Sequence, residues 1–325
     1  QLSVRLFAVV VAVYLTLLVT VEAVNAILYG RMRRWGAFFP AMAAAAGGTG
    51  LFVLIVFVPA LRDAALRYTA ALLLTVFGTG LVCDVLALTI RSRRVRRVLG
   101  SIRVALPDLM SLFLPQRTAD VLPRAPLGPV PQQGTEEFEL LFQTSAHGIG
   151  LVGHCELCFD GRTLTYGAYD PAHQRLLRTV GAGIVFSAPR EPYLRWCIGT
   201  HHRRVISYSL RLPPAQAAQL RAELERFRQT LSPWQPEALP EDCFAGRLRR
   251  LGGVRFWRVQ RGPYATYFIP TINCVSLTNK LLEKTDIGRT VMLGLKTPGA
   301  YLDLLEREYL AGNPAVTARR VYDRI

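Results

Sequence analysis

The stretch YFIPTINCVSLTNKLLEK, residues 267–284, passes from an apolar extended segment into a helical pattern, with an Asn-Cys pair at the junction. A helix starting near Asn273 sets Leu277, Leu281 and Leu282 on one stripe and Ser276, Asn279, Lys280 and Glu283 on the other side. Cys274 then falls in the first turn. Unpaired backbone N–H groups and the positive end of the helix dipole favour a thiolate there, and the thiolate is the attacking form of cysteine. The position also suits a buried structural cysteine, because free Cys is among the most buried residue types. A thiol becomes a nucleophile candidate only with a histidine base elsewhere in the chain.

Working outward from this junction, the preceding 130 or so residues read mostly as strands. FELLFQTS (138–145), GIGLVGHCELCFDG (148–161) and RTLTYGAYD (162–170) open the region, and Asp160-Gly161 marks a hairpin turn. AGIVFSA (182–188), VISYSLRL (205–212), VRFWRVQ (254–260) and ATYFIP (265–270) follow. Helical patterns occupy PPAQAAQLRAELERFRQTL (213–231), more weakly EPYLRWCI (191–198), and, after Cys274, TPGAYLDLLEREYL (297–310) with Thr297 as N-cap and Pro298 at the first position. Residues 136–325 are therefore expected to form one α+β domain on an antiparallel sheet.

The N-terminal third has a different composition. The chain is 51% hydrophobic yet carries 39 Lys+Arg against 23 Asp+Glu, so apolar and basic residues must be segregated. Residues 4–29, 37–61 and 68–90 are each apolar and long enough to cross about 30 Å of hydrocarbon, which predicts three spans within residues 1–92. Arg31, Arg33 and Arg34 follow the first run and Arg91, Arg93, Arg94, Arg96 and Arg97 the third, whereas Arg5, Arg62 and Arg67 lie on the opposing side. The positive-inside rule then puts residues after 91 in the cytoplasm, with an extracytoplasmic domain as the alternative. Glu22, Asn25 and Asp84 interrupt the runs close to interfaces and do not describe a transport pathway. Small residues at 43–50, with Gly78 and Gly80, leave room for close helix packing, including a homo-oligomer through the spans.

Residues 93–135 form a junction. The basic amphipathic stretch from Arg91 to Arg103, which leads into it, suits anionic lipid headgroups, and PRAPLGPVPQQG (123–134) is a Pro-rich linker. The isoelectric point near 10.2 raises nucleic acid as a partner, but the Arg cluster abuts a span, where topology already accounts for it; no nucleic-acid partner is expected. The six cysteines lack the regular spacing of a secreted disulfide framework.

Among five histidines, His154 stands on a strand leading into a hairpin, in GHCELCFDG. Period-two alternation places His154, Glu156 and Cys158 on one face, and Cys155, Leu157 and Phe159 on the other, expected to be the core. His173, His201 and His202 sit in polar or basic turns. Cys155 and Cys158 are a C-x-x-C pair, but residues three apart on a strand point to opposite faces and no second close pair follows, so no metal site is expected.

A His on a strand in GH-x-E-L-x-F-D-G, a strand ending in TYGAYD and a late Asn-Cys pair opening a helix together resemble the circularly permuted branch of the papain-like NlpC superfamily. That branch includes bacterial envelope hydrolases, lecithin:retinol acyltransferase-like enzymes and an uncharacterised bacterial envelope family with similar GH and NC signatures. The resemblance covers roughly residues 140–310 and leaves out the spans. It implies a permuted papain-like fold and acyl chemistry on an amide or ester through a Cys thioester, without a cofactor, in a protein of the bacterial inner membrane. Carried over by position, Cys274 is the nucleophile and His154 its base. The group that orients the imidazole falls at Tyr166, where the family often has His, Asn or Gln, and Glu156 competes for that role on charge grounds. The Cys274 backbone N–H, with Asn273 or Tyr267 assisting, is the expected oxyanion donor. The family's envelope precedent points outward while the arginines point inward; the charges act on this chain directly and are followed here.

Overall fold

The computed structural model describes residues 2–89, 114–126, 137–145, 152–235, 240, 243–285, 297–310 and 312–323. The basic stretch from Arg91 to Arg103 and most of the Pro-rich stretch lie outside the described residues. The chain divides into two units, residues 1–83 and 84–325.

The first unit is helical: α1 (Leu2–Arg31), α2 (Trp35–Phe57) and α3 (Pro59–Thr89), the last running on past residue 83. Two helices, Leu6–Arg31 and Trp35–Phe57, are long and apolar enough to cross a membrane. Helix α3 covers the region expected as a third span as far as Thr89. The interior is a small cluster of Val11, Leu15, Ile55 and Leu66. Gly48 permits a close crossing of α1 and α2, since a Cβ there would come within 2.8 Å of Val19. Large apolar side chains such as Leu17 and Phe57 instead point outward, as suits a lipid surroundings. Asn25 is buried and donates to Glu22 at 3.3 Å, so these polar groups satisfy each other. Arg62 closes the end of α2 by donating to the carbonyls of Ile55 and Val56.

The second unit is an α+β domain. Its eight-stranded sheet runs β10-β6-β1-β2-β3-β5-β8-β7, and every neighbouring pair is antiparallel. The strands are β1 (Glu137–Thr144), β2 (His154–Phe159), β3 (Arg162–Gly167), β5 (Ile184–Pro189), β6 (Arg204–Arg211), β7 (Leu231–Pro233), β8 (Arg255–Val259) and β10 (Val316–Tyr322). A separate ribbon pairs β4 (Val180–Ala182) with β9 (Thr266–Phe268). Asp160 and Gly161 both take positive φ, 49° and 68°, the conformation a two-residue hairpin between β2 and β3 requires.

Helices cover both sheet faces. On one lie α6 (Pro214–Arg228), α8 (Cys274–Leu282) and α9 (Pro298–Leu310), whose Leu220, Leu277, Leu281 and Leu305 pack with Phe142, Leu157 and Ile206. On the other lie α5 (Arg190–His201) and α7 (Phe244–Arg249), through Tyr193, Leu194, Cys197 and Leu248. This corrects the expectation that only the face of Cys155, Leu157 and Phe159 is core: Glu156 and Cys158 are equally buried, beneath α5. The reason is α5 itself, a full twelve-residue helix where the sequence pattern is faint. Its N-terminus is held by a buried ion pair, Arg190 donating to both Glu139 oxygens. Residues 114–126, expected in the junction, join this unit: α4 (Leu114–Val121) contributes Ala119 to the core, and Ala125 donates to the Val321 carbonyl at 2.7 Å.

Candidate active site

Asn273 is the N-cap of α8, with backbone angles outside the helical region, and it forms a capping box. Its side-chain oxygen accepts from the Ser276 N–H at 3.0 Å, while the Asn273 N–H donates to the Ser276 hydroxyl at 2.9 Å. The Asn273 amide nitrogen also donates to the Ile269 carbonyl at 2.6 Å, fixing the approach from β9. These bonds place Cys274 at the first helical position. Ser276, expected on the polar side, is buried because it serves the cap.

The sulfur of Cys274 meets β2 across 119 residues: the Cys155 N–H donates to it at 3.4 Å. The β2–β3 ladder ends at the Leu157–Leu164 pair, so the main chain of β2 nearer His154 has an edge to offer. Strand N–H groups lie in the plane of the sheet. The sulfur reaches β2 from the α8 side at the N–H of Cys155, the residue after His154, and among the described contacts no hydrogen bond joins it to the imidazole, whose partner is Tyr169. Backbone N–H groups of Cys155 and of the first turn of α8 favour a thiolate, but burial outweighs them and pushes the thiol up to about 12. The Tyr267 hydroxyl shares a hydrogen bond with the same sulfur.

His154 is partly exposed at the start of β2, on the α5 side by alternation. Its Nε2 lies 3.2 Å from the Tyr169 hydroxyl. Tyr169 can fold back to this point because Gly167 has no side chain: a Cβ there would meet the Tyr169 ring at 2.7 Å. The ring is further held by stacking on Phe244 and by Phe186. Burial, and secondly the Arg203 guanidinium, lower the imidazole to about 3. The Tyr169 hydroxyl, raised first by burial and then by Glu156, Tyr267 and Cys274, is electrostatically coupled to both halves of the site. The Cys274 thiol and the His154 imidazole are thus each neutral at rest.

The two expected orienting groups bond elsewhere. Glu156 is enclosed on the α5 side, accepting from Gln143 at 2.8 Å, Thr165 at 2.9 Å and Tyr193 at 2.6 Å. Burial raises its carboxyl to about 7 against those three bonds. Arg203 reaches this cage through the Gln143 oxygen at 2.9 Å. Tyr166 donates to the carbonyls of Tyr264 and Thr266, at 2.9 and 3.2 Å, and so anchors β9 beneath the site. Tyr169 was missed by sequence reasoning; TYGAYD contained it, and the glycine two residues earlier is the signal that a ring folds back there.

His173 is bound to Asp170 at 2.7 Å. Among the described residues no group of three or more His, Cys, Asp or Glu side chains is placed to hold a metal ion. Compared with known proteins, the chain matches no family model, no curated protein and no solved structure.

Proposed function

We propose that this chain is a membrane-anchored cysteine hydrolase or acyltransferase acting on an amide or ester through a thioester on Cys274. The observation that carries the reading is the Cys274 sulfur at the first position of α8, accepting from the N–H of Cys155, the residue that follows His154 in β2. The resemblance of the GH and NC signatures to the permuted NlpC-type hydrolases supports the same chemistry.

In this reading the neutral thiol does not wait as an ion pair. As sulfur attacks the substrate carbonyl, its proton passes to His154; the tetrahedral oxyanion is met by the first amides of α8, and Tyr267 or Asn273 assist. Collapse breaks the bond to the leaving amine or alcohol, which takes the proton from His154. Water, or an acceptor alcohol or amine, then gives its proton to His154 and attacks the thioester, and Cys274 leaves as a thiol. Tyr169 holds the imidazole and Tyr166 the floor, while Glu156 stays enclosed by Gln143, Thr165 and Tyr193.

The proposed setting is the bacterial inner membrane, with α3 as a third span, the domain on the cytoplasmic side and anionic headgroups near Arg91–Arg103. Membrane lipids and acylated proteins are then the substrate class; an extracytoplasmic domain would favour peptidoglycan or another envelope amide. Contacts between spans of two copies would make a homo-oligomer.

One observation favours a second reading, a degenerate domain that binds without turnover: Cys274 is only 3% exposed, and its thiol caps a strand N–H as a structural cysteine would. A thiol-directed acyl probe on the full chain separates the two. The parent is expected to be labelled and Cys274→Ala and Cys274→Ser not; equal labelling of Cys274→Ala and parent leaves the enzyme reading without support.

A further inference from the structure

Between Tyr169 and β4 the chain makes a small protruding hairpin. Arg175 and Val180 pair as its base, with Arg175 N–H to Val180 O at 2.8 Å and the return bond at 3.3 Å. Its tip is Leu176, Leu177, Arg178 and Thr179. Leu176, Leu177 and Arg178 all have positive φ, 47°, 54° and 68°. Non-glycine residues rarely enter this region, and three in succession make a strained tip that points its side chains away from the domain. Leu177 is 95% exposed and Leu176 60%. Single exposed leucines need no explanation; two adjacent ones at the end of a strained projection do. Arg175 and Arg178 flank them, both exposed.

We propose that this tip is a membrane-docking element: Leu176 and Leu177 enter the interface of a bilayer while Arg175 and Arg178 bind anionic headgroups. The chemistry fits lipid better than a protein groove. Two leucines present a small apolar wedge, each cation extends beside it at headgroup depth, and the chain carrying them has a net charge of +16 and helices suited to a membrane. The tip is also tied to the site. The Ile269 N–H donates to the Thr179 carbonyl at 3.0 Å, β4 pairs with β9, and β9 holds Tyr267. Docking would therefore seat the Cys274 junction at the surface of the bilayer, whether or not that cysteine turns over.

The test places a diazirine amino acid at position 177 of the full chain, reconstituted in vesicles of phosphatidylcholine alone or with phosphatidylglycerol, with position 17 on α1 as the lipid-facing control. Lipid adducts at 177 are expected in anionic vesicles, falling about tenfold when Arg175→Glu and Arg178→Glu are combined, and unchanged in Cys274→Ala. Labelling at 17 without lipid adducts at 177, equal yields in neutral and anionic vesicles, or adducts at 177 to a second protein chain would each overturn the proposal.

Discussion

At the scale of single residues, the decisive quantity is where the protons of Cys274 and His154 reside. With the thiol pushed up to about 12 and the imidazole down to about 3, both are neutral throughout the physiological range. Simple alkylation needs thiolate, so iodoacetamide modification of Cys274 should rise about tenfold per pH unit from pH 6 to 9 without levelling off. Quantified by mass spectrometry, a plateau near neutrality would mean a preformed thiolate–imidazolium pair instead. In the proposed reaction, where His154 takes the proton during attack, acyl-probe labelling should vary far less over the same range. Tyr169→Phe keeps the stacked ring and removes only the hydroxyl that meets His154. It is expected to lower the acyl-labelling rate by about tenfold or more while iodoacetamide alkylation and the melting temperature stay close to the parent's. Equal losses in both labelling rates would make Tyr169 a packing residue. Cys274 and His154 are candidates in the sequence because each sits beside a local marker, the Asn cap and the strand before an Asp-Gly turn, and the structure places both markers as expected. Tyr169 is not, since what gives it a role is a ring folding back over Gly167 onto a different strand.

At the scale of elements, the junction around Cys274 is held by close main-chain approach. Gly183 precedes β5, its N–H donates to the Ala265 carbonyl at 2.9 Å, and a Cβ on it would lie 1.9 Å from the Tyr264 carbonyl oxygen. That oxygen also accepts from Tyr166. Gly183→Ala must therefore push the segment before β9 off the sheet, and about 2–3 kcal/mol of destabilisation is expected, read as a fall in melting temperature with loss of Cys274 labelling. Unchanged stability would mean that the β4–β9 ribbon floats free of the sheet. The helix after Cys274 was legible from its leucine stripe and its Asn cap, and the helix at Pro298 from Thr297, whose hydroxyl accepts from Ala300 at 3.1 Å. Helix α5 was legible only faintly, because its buried set includes Arg190, Tyr193 and Cys197, which carry no strong apolar period. Its place is secured instead by the Arg190–Glu139 pair, a contact between residues 51 apart.

At the scale of the whole molecule, the arginine distribution and the apolar runs set an expectation for sidedness. In intact cells, Arg67→Cys should react with a membrane-impermeant maleimide and Arg93→Cys only after lysis. The native background is low, since the described cysteines are buried apart from the half-buried Cys243. Reaction of Arg93→Cys alone from outside would place the domain beyond the membrane and redirect the substrate toward the envelope.

By itself the sequence determined that long apolar helices precede an antiparallel α+β domain, and that a capped helix begins at Cys274. Those properties follow from composition and from side-chain periods of two and 3.6, which neighbouring residues enforce on one another. Tertiary structure alone decided that both faces of β2 are buried, that Glu156 is enclosed by Gln143, Thr165 and Tyr193, and that the sulfur meets the main chain beside His154. Each depends on partners brought together by the order of strands in the sheet, and no local period records which distant residue will complete a buried hydrogen bond.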